Sequence, residues 1–156
     1  MRWPKNSLLL DSEPLFDSSV FITAAHYRPY RNLLGAAASR GVLLVSSVIT
    51  MELYAGFRSQ EARRAFSVLH INSRRTGKIV VPQHEDFLVG GQVLFYLSRK
   101  LGQLDFKDHF RDGLIATSAA RIGATVVTEN RRNFELWRDG LARSGRQLSL
   151  YIVERK

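Results

Sequence analysis

The chain has 156 residues, with 23 Lys+Arg against 14 Asp+Glu, a formal net charge of +9 and a pI near 10.5. At 45% hydrophobic and 10% aromatic residues it carries enough apolar material for one buried core, which argues against a disordered chain and fits a single domain over residues 1–156. With no cysteine, a disulfide scaffold, an iron–sulfur cluster, a thiolate zinc site and a cysteine nucleophile are all excluded, so any metal must be held by oxygen or histidine.

Met1-Arg2-Trp3-Pro4-Lys5 is basic, but Leu8-Leu9-Leu10 is too short for the apolar region of a signal peptide, and no stretch approaches the roughly 20 apolar residues of a membrane span. A cytoplasmic protein is expected. Leu15-Phe16-Asp17 reads as a short buried strand ending in an acid, with Ser18 or Ser19 as cap of a helix through Val20-Phe21-Ile22. Helix formers fill 29–40 and stop at Gly41; Val42-Leu43-Leu44-Val45 then reads as a parallel strand covered on both faces. Ser46 and Ser47 offer caps to the helix 48–57, which places Glu52 in its second turn. A basic helix over 59–76 precedes the apolar Ile79-Val80-Val81. An amphipathic helix runs from His84 to Leu101 and ends at Gly102. Asp108 is the expected cap of a helix from Phe110 to Ile122, closed by Gly123, and the strands Ala124–Thr128 and Leu148–Val153 follow. Strands alternating with helices predict an α/β sandwich around a parallel sheet.

In parallel sheets, ligands bind outside the carboxyl ends of the strands. Asp17 and Glu52 fall there or one turn beyond, Asp112 sits near a helix start, and Thr128-Glu129-Asn130 follows directly from a strand. Carboxylates converging without Lys or Arg partners repel one another unless a divalent cation neutralises them, and hard oxygen ligands suit Mg²⁺ or Mn²⁺. His26, His70, His84 and His109 have no zinc-ligand spacing, and the chain has neither a Gly-x-Ser-x-Gly elbow nor a glycine-rich phosphate loop.

Four segments in order, 16–22, 47–56, 110–119 and 126–134, resemble the signature blocks of PIN-domain ribonucleases, and most of all the VapC-like toxins of prokaryotic toxin–antitoxin pairs. Glu52-Leu53-x-x-Gly56 and Asp112-x-x-Ile115-Ala116 carry much of that resemblance. It implies a PIN-like three-layer α/β/α sandwich with a central parallel sheet and a metal-dependent endoribonuclease. Asp17, Glu52 and Asp112 would hold Mg²⁺ or Mn²⁺, and Thr128 and Asn130 would complete the site. It also implies structured RNA such as tRNA as substrate, a cognate antitoxin and a homodimer. The fourth block departs from the pattern: Asn130 and Asn133 stand where related chains often carry acids. Weaker metal binding follows, and a catalytically weak or inactive RNA-binding or antitoxin-binding module stays open, as does cleavage of DNA. The positive charge points to a polyanionic partner, with Arg58, Arg63, Arg64, Arg131 and Arg132 as candidate phosphate contacts.

Overall fold

The computed structural model describes residues 12–102 and 104–154; the basic start and Leu8-Leu9-Leu10 lie outside the described residues. Short apolar runs become strands because helices cover them: β1 (Pro14–Phe16) and β4 (Thr125–Thr128) are buried at every position. They flank each other in parallel, with Leu15 opposite Val126, and β5 (Ser149–Ile152) adds to the far side of β4. On the other side, β2 (Val45–Ser46) pairs in parallel with β3 (Ile79–Val80), and a parallel bridge from Leu15 to Leu44 joins this pair to β1. The strands therefore lie in the order β3-β2-β1-β4-β5, all parallel. The chain winds outward from β1 to β3 and then crosses to β4, so the topology reverses between β1 and β4. That is where such sheets open a crevice at their carboxyl ends.

Seven helices connect the strands among the described residues: α1 (Ser18–Ala24), α2 (Arg28–Ser39), α3 (Ser47–Gly56), α4 (Gln60–Arg75), α5 (His84–Leu101), α6 (Phe106–Ile122) and α7 (Arg131–Arg143). Helix α1 packs on α2 and α3, while α5, α6 and α7 pack on one another. The left-handed turns that close α2 and α6 fall on Gly41 and Gly123, at φ +67° and +69°, where a side chain would be strained. The core is centred on Trp137, Tyr30, Phe16 and Phe134, all fully buried.

Four local expectations are corrected. The strand expected over 42–45 forms only at Val45–Ser46, since Val42 and Leu43 lie in the turn leaving α2. Helix α6 starts earlier than Asp108 because Asp105 caps it, its carboxylate accepting from Lys107 N at 2.9 Å, so Asp112 is its seventh residue. Asp17 itself, rather than Ser18 or Ser19, caps α1. Helix α7 was not anticipated: Asn130 caps it from a segment read only as the end of a motif.

Helix α6 is held in place by a buried polar clamp. Asp86 on α5 is 1% exposed; it accepts from Gln83 N, from Ser118 Oγ at 3.1 Å and from Arg121 Nε at 3.0 Å. A buried carboxylate is tolerated only with such full pairing, and the pairing ties α5 to α6. No helix among the described residues is long and apolar enough to cross a membrane.

Candidate active site

Asp17 ends β1 and caps α1, with an extended backbone at φ −70° and ψ 157°. Its Oδ1 accepts from Ser18 N at 2.8 Å, and its Oδ2 accepts from Ser19 Oγ at 2.7 Å and from Thr128 Oγ1 at 2.9 Å. The Thr128 bond spans the reversal between β1 and β4. The same hydroxyl accepts from Asn130 N at 2.9 Å, so Thr128 orients the carboxylate and the start of α7 together. Asp17 is only 4% exposed, and these donors are what make a carboxylate tolerable there.

Asp112 reaches the same crevice because α6 runs antiparallel to β4 and begins at the carboxyl edge of the sheet. Its Oδ2 accepts from Asn133 Nδ2 at 3.0 Å and Asn130 Nδ2 at 3.3 Å. Burial pushes its pKa up, the Asn133 bond opposes that, and the charge of Asp17 raises it further, while Arg111 and His109 favour the carboxylate.

Glu52 extends from the second turn of α3, whose cap is Ser46, with Oγ accepting from Val48 N at 3.2 Å. Contrary to the expectation of acids without basic partners, Arg111 Nη1 contacts Glu52 Oε1 at 2.7 Å. Burial raises the Glu52 pKa, Arg111 pulls it back, and Asp17 and Asp112 both raise it. The Ser18 hydroxyl favours the charged form, and Oε2 is buried without a hydrogen-bond partner.

Glu52 feels both Asp17 and Asp112 as like charges, and Asp112 feels Asp17. Among the described residues, however, no three acidic or histidine side chains are gathered closely enough to hold an ion by themselves. The chemistry of the side chains present fits a hard divalent cation: they are carboxylates, and one buried acceptor of Glu52 lacks a hydrogen-bond partner.

Glu129 does not join the acids. Its Oε2 accepts from Thr23 Oγ1 at 2.8 Å and its Oε1 from the Tyr30 hydroxyl at 2.9 Å, which latches β4 to α1 and α2. Sequence reasoning missed Arg111 and His109. Their position beside Asp112, one residue and one turn before it on α6, was the available signal.

Among the basic candidates, Arg58 and Arg63 line an open cleft of about 320 Å³ with Tyr54, Phe57, Ser59 and Gln60 where α3 meets α4. Arg64 and Arg132 are exposed, whereas Arg131 is paired with Glu135 at 3.3 Å and Glu154 at 2.8 Å. The cleft shares α3 with Glu52, and Tyr54 follows that acid by two residues.

The chain is similar over most of its length to solved structures. One is a chain in the crystal structure of VapBC2 from Rickettsia felis bound to a DNA fragment from their promoter, 23% identical, with a TM-score of 0.63 and coverage of 90% of this chain and 98% of that one. The fold is that of a VapC-like PIN domain. A chain of DNA-bound VapBC from Salmonella typhimurium is 22% identical, with a TM-score of 0.62 and coverage of 90% and 98%. One from VapBC-1 of nontypeable Haemophilus influenzae is 19% identical, with a TM-score of 0.61 and coverage of 89% and 96%. No protein-family model and no curated protein matches the chain. In this PIN fold, Asp17, Glu52 and Asp112 stand at the carboxyl edge of the parallel sheet.

Proposed function

We propose that this PIN domain is a divalent-metal-dependent endoribonuclease, the toxin of a toxin–antitoxin pair. The carrying observation is the hydrogen-bonded link from Asp17 through Thr128 and Asn130 to Asp112 at the reversal between β1 and β4, with Glu52 nearby and its Oε2 buried without a hydrogen-bond partner. Asp17, Glu52 and Asp112 would hold Mg²⁺ or Mn²⁺. Such an ion, when bound, neutralises phosphate charge and makes water a competent nucleophile near neutral pH.

The chain's own residues supply the rest. Thr128 and Ser19 fix Asp17 so that it need not reorganise during the reaction, and Asn130 and Asn133 do the same for Asp112. Burial keeps bulk water from screening the carboxylates, which strengthens their pull on a cation. No side-chain nucleophile is required. Arg58 and Arg63, with the rings of Tyr54 and Phe57, offer charge and stacking to a single RNA strand, with Arg64 and Arg132 as outlying phosphate contacts. Arg131 joins them only by leaving its glutamates.

The partners that complete this reading are a cognate antitoxin and a second copy of the chain, in the cytoplasm, with structured RNA such as tRNA as substrate. A second reading, a catalytically weak RNA-binding or antitoxin-binding module, is favoured by one observation: neutral amides rather than acids surround Asp112. RNA cleavage by the purified chain, with and without Mg²⁺ or Mn²⁺ and with Asp112→Asn as control, decides between them. Cleavage that requires the metal and disappears in the variant supports the nuclease. Cleavage surviving both chelation and substitution refutes this site, and RNA bound but never cut favours the module.

A further inference from the structure

Among the described residues, Arg111 is the only Lys or Arg in ion-pair contact with any of the three acids. Its ion pair with Glu52 brings Nη1 to 2.7 Å from Oε1, and half of its side chain is exposed while Glu52 is 14% exposed. A guanidinium presents five donors in a planar fork that matches two oxygens of a carboxylate or phosphate at once, so an arginine half open to solvent keeps donors for an incoming anion. Arg111 also follows the backbone of α6 directly into Asp112, and its charge acts on both Asp112 and Glu52. It is therefore open to solvent on one side and close to two of the three acids on the other.

The geometry points to Arg111 as the phosphate-gripping residue of this site, resting on Glu52 as a stand-in countercharge and passing to a non-bridging phosphate oxygen of RNA when a divalent cation takes Glu52. The inference rests on the nuclease reading above. A cation on the free Oε2 draws on the charge of the same carboxylate and weakens its hold on Arg111 at Oε1, and the loosened guanidinium finds its next anion in the substrate. An arginine supplied to a reacting phosphate in this way stabilises charge that develops in the transition state.

The test begins without metal, in chelator, so that no cleavage intervenes. Affinity for labelled RNA is measured for the wild type, Arg111→Ala, Glu52→Gln and the double variant, after thermal melts confirm that each folds. Freeing Arg111 by Glu52→Gln should make the Arg111→Ala change cost about fivefold in RNA affinity, against little in the wild type. An equal cost in both backgrounds, or none in either, overturns the inference. Calorimetric titration with Mn²⁺ alone should show Arg111→Ala binding the ion about fivefold more tightly than wild type, because a competing cation has gone. Weaker Mn²⁺ binding would mean that Arg111 merely props Glu52, and would also overturn it. With Mn²⁺ and RNA together, Arg111→Ala should lose about 10²-fold in kcat while Arg111→Lys recovers part of it; unchanged kcat overturns the assignment. A wild type that cleaves no RNA with either metal would sink the nuclease reading instead. The metal-free binding cycle and the Mn²⁺ titration would still report on Arg111.

Discussion

Replacing Gly113 with alanine sets two effects of known size against each other beside the candidate site. An alanine in the middle of a helix is about 0.8–1.0 kcal/mol more favourable than glycine, so α6 by itself would gain. Yet a Cβ at Gly113 would sit 2.4 Å from Cζ2 and 2.5 Å from Cη2 of Trp137, distances that side-chain carbons do not adopt. The indole is rigid and fully buried, so it cannot swing aside; either it or α6 must shift. Overpacking of this kind costs about 1–3 kcal/mol. The net expectation is a loss of up to about 2 kcal/mol and, for a chain of this length, a fall in Tm of up to roughly 4–8 °C. Thermal unfolding followed by circular dichroism measures it, with Gly91→Ala as control. A Cβ at Gly91 meets open space, so that variant should gain up to about 1 kcal/mol. Because Gly113 adjoins Asp112, the displaced helix should also lower RNA cleavage beyond the loss of folded protein. A Gly113→Ala protein melting above the wild type, as the Gly91→Ala control should, would show that the close seat of Trp137 on α6 is wrong.

The acids themselves should respond unequally to neutralisation. Asp112→Asn should leave the metal-free Tm equal or higher while abolishing cleavage, whereas Asp17→Asn should lower it, because Asp17 caps α1 and accepts from Ser19 and Thr128. The raised pKa values of Glu52 and Asp112 mean that the folded state binds their protons more tightly than the unfolded chain does. Stability contributed by these groups is therefore greatest at acid pH and is lost as pH rises from their ordinary values of 4.5 and 3.8 through the raised ones. Melts across that range should show the loss in metal-free wild type and its reduction in Asp112→Asn; identical pH profiles would contradict the shift. If Arg58 and Arg63 contact phosphates, substituting either by alanine should flatten the salt dependence of RNA binding by about one unit or slightly less, and an unchanged slope would remove the α3–α4 cleft from the RNA path.

Much of this protein was legible along the chain because the rules that govern it act over a few residues. A glycine at a left-handed turn, a serine capping a helix and an apolar run covered on both faces are decided by neighbours within about a turn, and Gly41, Gly123, Ser46 and β4 followed them. The candidate acids, too, could be placed at strand ends and helix starts from local pattern alone. Their surroundings could not. Thr128 meets Asp17 across 111 residues of sequence, and Asn133 meets Asp112 across 21, through the docking of α6 and α7 against the sheet edge. Two asparagines that read as a loss of acidity are donors to a half-buried carboxylate, and Glu129, the acid between Thr128 and Asn130, is committed to Thr23 and Tyr30. Arg111, one surface arginine among many in the sequence, became the countercharge of Glu52 only because α6 packs against α3. Side-chain type and periodicity determine which groups stand at the ends of elements. Which of those groups meet is decided by packing between elements distant in sequence, since hydrogen bonds and ion pairs act over a few ångströms and no local preference encodes such a distance.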